Sequence, residues 1–163
     1  MNQNTGNEVR IGVFLCHCGT NIRSTVDVPQ VTEFVKTLAR VVYAEDDRFI
    51  CSTDYQQKIK ERVKEYSLNR VVVAACTPRT HAYLFKRTLE EVGVNKYLFE
   101  FANIREQCSW VHKLEKEQAT EKAKDLLTMA VARARLLEPL EDVKLPVGQD
   151  CLVIGAGIAG LTA

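Results

Sequence analysis

The sequence predicts an α/β fold, with an open parallel sheet of about four strands, flanking helices and a long C-terminal helix. Three observations carry this. Apolar runs rich in β-formers alternate with stretches of helical periodicity, in the order β-α-β-α-β-α-β-α. The strongest run, RVVVAA at 70–75, has no charge in its interior, as a strand covered on both faces requires. The last helical stretch is the longest and reaches about residue 137.

The elements follow in order. Residues 11–15, IGVFL, form a short buried strand, and HCGTN turns the chain. Asp27 and Pro29 start a helix whose apolar positions, Val31, Phe34, Val35 and Leu38, recur at helical spacing. VVYAED at 41–46 is the second strand, and RFIC at 48–51 continues it. Ser52, Thr53 and Asp54 offer caps for a helix near 54–66, with Ile59, Val63 and Tyr66 turned inward. After the strand at 70–75, CTPRTH turns into a helix near 81–92 that Gly93 stops. Residues 97–101 form the fourth strand. Gln107 or Ser109 then opens the long helix, whose solvated face carries KLEKEQATEKAKD and whose buried face carries Leu126, Leu127, Met129, Ala130 and Ala134. Such alternation gives a Rossmann- or flavodoxin-like sheet with helices on both faces. The domain reading is a disordered lead at 1–8, an α/β domain at 9–137, a linker at 138–149 with two prolines and a glycine, and a further domain begun at 150–163.

Composition narrows the function. With 22 basic and 21 acidic residues the formal charge is +1, so no electrostatic reason exists to expect nucleic acid or an anionic membrane as partner. No apolar stretch approaches the roughly 20 residues that span a bilayer, and MNQNTGNEVR lacks the apolar core of a signal peptide. The expected location is the cytoplasm. In that reducing compartment six cysteines speak for metal or redox chemistry before disulfides.

Residues 151–163, CLVIGAGIAGLTA, place Gly155, Gly157 and Gly160 as G-x-G-x-x-G between an apolar strand end and an apolar helix start. The three glycines would allow a tight turn, a close approach to a pyrophosphate and helix–strand packing, respectively, which is the dinucleotide-binding pattern. The chain ends a few residues into that helix, before the acidic residue that would hold the ribose. It is therefore expected to be a piece of a longer flavoprotein that does not bind FAD or NAD measurably by itself.

Five cysteines sit at or just past the ends of the apolar runs: Cys16 and Cys18, then Cys51, Cys76 and Cys108. In a parallel sheet those ends converge on the carboxyl edge, where ligands of open α/β sheets collect. Cys18 lies in the turn beside Gly19, while Cys16 closes the strand. Cys108 opens the long helix, where free amides and the helix dipole favour a thiolate. Cys151 reads as structural, since a buried free cysteine behaves as a small hydrophobe. Four readings stay open for the five: ordinary core cysteines, a tetrahedral zinc site, a [4Fe–4S] cluster, or a redox-active thiol. Zinc usually takes two close pairs, and only Cys16 and Cys18 are close. A cluster tolerates scattered ligands and suits a neighbouring flavin. The expected ligands are Cys18, Cys51, Cys76 and Cys108, with Cys16 as the alternative to Cys18. Arg79, His81, Arg105 and His17 would offset cluster charge or form ordinary surface contacts. Trp110 and His112 would pack beside the site or anchor the helix.

VFLCHCGTNI, FICS, VVVAACTPRTHAYLF and above all ANIREQCSWVH resemble, in that order, the N-terminal region of the A-type subunit of heterodisulfide reductase. The resemblance covers roughly residues 9–163, including the hand-over to G-x-G-x-x-G. One departure is CSTDYQQ after FIC, where a turn with glycine is expected before the glutamine. The resemblance implies a cytoplasmic iron–sulfur flavoprotein, an oxidoreductase component with FAD bound in its body and one [4Fe–4S] cluster in its N-terminal domain. It implies partners among the other heterodisulfide reductase subunits and hydrogenase- or dehydrogenase-type electron donors. The N-terminal domain would relay electrons between flavin and partners without being catalytic itself. A non-redox docking or structural module of the same complex, zinc-stabilised or not, is the rival expectation.

Overall fold

The computed structural model describes residues 8–163, so the expected disordered lead lies outside the described residues but for Glu8. Four strands, β1 (Ile11–Cys16), β2 (Val41–Asp47), β3 (Arg70–Ala75) and β4 (Phe99–Asn103), form one sheet in the order β2-β1-β3-β4. All neighbours run parallel. The helices α1 (Val28–Lys36), α2 (Thr53–Glu65), α3 (Pro78–Glu90) and α4 (Lys116–Ala134) cover it, and a short α5 (Ile158–Thr162) ends the chain. This is the α/β sheet with a long C-terminal helix that the alternating pattern requires.

Strand parity divides the core. Ile11, Val13 and Leu15 of β1 pack with Val72 and Ala74 of β3 against α1 and α4. Phe14 and Cys16 pack with Val71, Val73 and Ala75 against α2 and α3. Every residue of β1 is buried because both its faces are covered. The edge strand β2 instead carries Glu45, Asp46 and Asp47, charges that discourage pairing with another chain.

Local chemistry sets the helix starts. Asp27 accepts from the Gln30 N–H, Ser52 from the Tyr55 N–H and Thr77 from the Arg79 N–H. Pro78 sits at the first turn of α3, where its missing N–H costs nothing, so α3 begins before the expected residue 81. RFIC at 48–51 is a turn and does not prolong β2. Among the described residues β2 pairs with β1 alone, which ends at Cys16 opposite Asp47, so the ladder has no partner beyond that pair. The long helix is also divided. A π-helical turn spans Arg105–Ser109, further turns follow, and α4 begins at Lys116.

Beyond α4 the chain has no regular structure until α5. Its first part is tied down: the Leu137 carbonyl accepts from Arg70 Nη2 at 2.9 Å and the Leu140 carbonyl from Asn95 Nδ2 at 2.9 Å. Asp142 is bound by Lys96 and by the Tyr97 hydroxyl, and those contacts hold its carboxyl below the usual range. Replacing Asp142 with Asn is expected to free this segment, so limited proteolysis should cut within 138–149 several-fold faster than in the unaltered chain. Equal rates would show that the contacts at Asp142 hold nothing. Further on, Gly155 has φ +117°, and a Cβ on Gly160 would meet the Gly155 carbonyl oxygen at 2.1 Å. Gly155 and Gly160 thus stand where a side chain would be strained or would clash. Leu152, Ile154, Ile158 and Leu161 around it are exposed.

Candidate metal centre

The parallel register brings the carboxyl ends of the strands level: Cys16 stands opposite Asp47, and Ala75 opposite Asn103. The connections from β1 and β3 leave in opposite directions along the sheet, so β1 and β3 flank the switch point where open α/β sheets bind ligands. Cys16 and Cys18 lie on one side of it and Cys76 on the other. The turn after β2 adds Cys51 and is bonded to the β1 turn, with the His17 N–H donating to the Asp47 carbonyl (2.9 Å) and the Gly19 N–H to the Arg48 carbonyl (3.3 Å).

Four thiols share this neighbourhood. Cys16 lies within electrostatic reach of Cys18 and Cys51, Cys51 of Cys18, and Cys76 of Cys18 and Cys51. Burial is the largest influence on each of the three: it pushes Cys16 up to about 11 and raises Cys51 and Cys76. The backbone N–H of Cys18 donates to Cys16 Sγ at 3.2 Å. Cys18 itself has φ +49°, a left-handed conformation that strains a side chain with a Cβ. Such strain persists only where the surroundings impose it.

Cys108 is not with the four. It is fully buried in the layer between the sheet and α4, where its thiol donates to the Ala119 carbonyl at 3.1 Å. Burial pushes it up to about 11, against a smaller downward pull from the charge of Lys122. The π-helical turn is the physical reason, since it directs residue 108 to the α1/α4 face while Cys16 occupies the α2/α3 face. Cys18 touches both layers from the edge. Cys151 is exposed and belongs to neither core cluster, where the sequence reading expects a buried structural cysteine. All six cysteines are unpaired. Among the described residues no three His, Cys, Asp or Glu side chains are placed to hold a metal ion.

The polar neighbours sort themselves clearly. Arg105 Nη1 donates to Cys18 Sγ at 3.3 Å, although residue 105 lies beside Cys108 in the sequence. Its guanidinium rests on the Trp110 ring, 4.8 Å from the centroid, which gives Trp110 its place at the site. His17 binds Asp46 at 2.6 Å, and His112 lies between Glu115 (3.0 Å) and Lys122 (3.3 Å). Arg79 is exposed at the start of α3 and His81, two residues on, is half-buried. Two contributors were not singled out in the sequence. Glu106 pairs with Arg105, and Asn103 Oδ1 accepts from the N–H groups of both. The Asn-x-Arg-Glu order, an Asx turn directly after a strand, is the signal that could have found them.

No protein-family model matches the chain. Curated proteins do. Over 156 residues the chain is 56% identical to the second A-type iron-sulfur subunit of the CoB–CoM heterodisulfide reductase of Methanopyrus kandleri, covering 96% of this chain and 24% of that protein. Over 159 residues it is 55% identical to the A-type subunit of the H2:CoB-CoM heterodisulfide, ferredoxin reductase of Methanothermobacter marburgensis, covering 98% of this chain and 24% of that protein. Over 155 residues it is 45% identical to the A-type subunit of the ferredoxin/F420H2-dependent CoB-CoM heterodisulfide reductase of Methanosarcina acetivorans, covering 95% and 20% respectively. The chain therefore spans about a quarter of the length of the curated relatives it matches, in their N-terminal part.

Proposed function

Since this chain belongs to the family of heterodisulfide reductase A-type subunits and matches their N-terminal part, we propose that it is the electron-relay domain of such a protein and carries one [4Fe–4S] cluster. The observation that carries this reading is the gathering of Cys16, Cys18, Cys51 and Cys76 at the carboxyl edge, with Arg105 donating to one of them. Cys18, Cys51 and Cys76 are the proposed ligands, and the fourth comes from Cys16 or Cys108. The neighbourhood of the other three favours Cys16.

Free thiols gathered at one sheet edge are the soft donor set that a four-iron cluster takes. Zinc draws four sulfurs to about 2.3 Å from one point. A four-iron cluster spreads its thiolates over separate iron corners, so it suits thiols that share a region without meeting at a point. Four neighbouring thiolates also repel one another, and the raised thiols Cys16, Cys51 and Cys76 stay protonated until a metal displaces the protons. When bound, the cluster supplies one-electron transfer. The chain's own residues shield the sulfurs from water, hold their spacing and donate hydrogen bonds to them.

The activity of the longer protein is part of this proposal. Gly155, Gly157 and Gly160 would approach the pyrophosphate of FAD once the βαβ unit is complete, and the domain begun at residue 150 would hold the flavin. Other heterodisulfide reductase subunits and hydrogenase- or dehydrogenase-type donors would be its partners. Six unpaired thiols suit a reducing cytoplasm. No helix among the described residues is long and apolar enough to cross a membrane.

Anaerobic reconstitution tests the reading. The expected result is about four iron and about four sulfide per chain, with a broad visible band bleached by dithionite. About one zinc per chain without colour would replace it with a structural site. Neither metal after reconstitution would replace it with a docking module.

A further inference from the structure

The connection from β4 to α4 builds an arginine into the thiol group. Asn103 Oδ1 accepts from the backbone N–H groups of Arg105 (3.2 Å) and Glu106 (3.0 Å), which opens the π-helical turn. Such turns are rare and recur at functional sites. The Ser109 hydroxyl donates to the Asn21 carbonyl at 2.8 Å, locking this segment to the turn that carries Cys18. On that mount the guanidinium is held from three directions. Its Nε and Nη2 donate to Glu106 Oε1 at 3.1 and 2.6 Å, its plane lies over Trp110, and Nη1 reaches Cys18 Sγ. A surface ion pair needs none of this support. Both partners are mostly buried, and Glu106 Oε2 is buried without a hydrogen-bond partner. The strained φ of Cys18 completes the contact from the other side.

We propose that Arg105 is the positioning and tuning residue of the thiol centre, its Nη1–H fixing Cys18 Sγ and favouring added negative charge there, so that it raises the reduction potential of the cluster. This rests on the cluster reading given above. Glu106 cancels much of the guanidinium charge, so the effect comes mainly from a directed N–H donor, the kind of hydrogen bond to sulfur that tunes such centres. Lysine has neither the planar fork nor the stacking surface and cannot meet Glu106, Trp110 and Cys18 together.

The test compares the unaltered chain with Arg105→Gln and Arg105→Lys after anaerobic loading with iron and sulfide, using a dithionite titration followed by electron paramagnetic resonance. Arg105→Gln is expected to keep its iron and to change the oxidised-to-reduced ratio at fixed potential about tenfold toward the oxidised form, which is a fall of about 59 mV for a one-electron couple. Arg105→Lys should fall between the two. An Arg105→Gln cluster with full iron and an unchanged potential overturns the proposal and leaves the cluster reading standing. If Arg105→Gln does not load, Arg105→Lys decides: a lowered potential supports the proposal and an unaltered one overturns it. If the unaltered chain takes up no iron, the cluster reading fails, and the contact is tested in the metal-free chain by mapped alkylation of Cys18, with exposed Cys151 as reference. There Arg105→Gln should release Cys18 Sγ and raise its alkylation rate severalfold relative to Cys151 at one fixed pH, and an unchanged ratio overturns the proposal.

Discussion

Replacing Cys76 with serine will abolish cluster retention, taking iron from about four per chain to below one while the sheet stays folded. Cys76 follows the central strand β3 directly, with Cys18 and Cys51 as its thiol neighbours, so no other sulfur can take its corner without moving a strand end. The substitution is nearly isosteric, and the residue follows β3 outside both core clusters, so circular dichroism should not change. The fourth corner is settled by a second pair of variants. Cys16→Ser is expected to lose the iron as Cys76→Ser does. Cys108→Ser is expected to keep it, because a serine hydroxyl can donate to the Ala119 carbonyl as the thiol does. The reverse pattern would make Cys108 the ligand and would require the π-helical turn to rotate when iron binds. Retention of iron by Cys76→Ser would remove the proposed centre altogether.

Truncating Phe14 to alanine should cost about 3–5 kcal/mol. Its ring is fully buried on the central strand β1, 6.0 Å from the Tyr43 ring and 6.4 Å from that of Tyr55, edge-on to the latter. Strand, turn and α2 surround the vacated space on covered faces, so collapse cannot fill it cheaply. Against a typical total of about 5–15 kcal/mol this is a large fraction, and the urea midpoint should fall without a change in slope. Leu114→Ala is the control. That side chain is 95% exposed, and its loss should lie within about 0.5 kcal/mol. Equal effects of the two substitutions would contradict the division of the core. Cys16 lies two residues on, on the same face as Phe14, so the loss should also reduce iron retention.

The sequence made the sheet legible because strand and helix periods differ so plainly here. RVVVAA cannot be mistaken, and Asp27 and Ser52 announce their helices by chemistry that acts within four residues. What failed to show were features set by distant partners. The end of β2 depends on where β1 ends, which no residue in RFIC records. The break in the long stretch after β4 depends on an Asx turn and a π-helical turn, while the helical pattern across 107–137 is continuous enough to hide them. The site divides in the same way. Strand-end positions place Cys16 and Cys76 at the carboxyl edge, but spacing along the chain says little about which face of the sheet a thiol occupies. Cys108, near Arg105 in sequence, is buried in the layer against α4, while Arg105 reaches across to Cys18. Cys16, expected to compete with Cys18, lies within a hydrogen bond of the Cys18 amide.

The tether after α4 carries a consequence for wiring. Arg70 opens β3 and holds Leu137, and Asn95 and Tyr97, just before β4, hold Leu140 and Asp142. The polypeptide therefore departs from the amino edge of the sheet, while the thiols stand at its carboxyl edge. A six-residue strand separates the two by about 20 Å. Covalent adjacency and electrical adjacency are thus decoupled in this fold. A redox group carried by the residues that follow would be a poor conductor to these thiols if it remained where the chain leaves the sheet. It would have to fold back along the domain's flank, or leave contact with the thiols to a different polypeptide or a second copy of the chain.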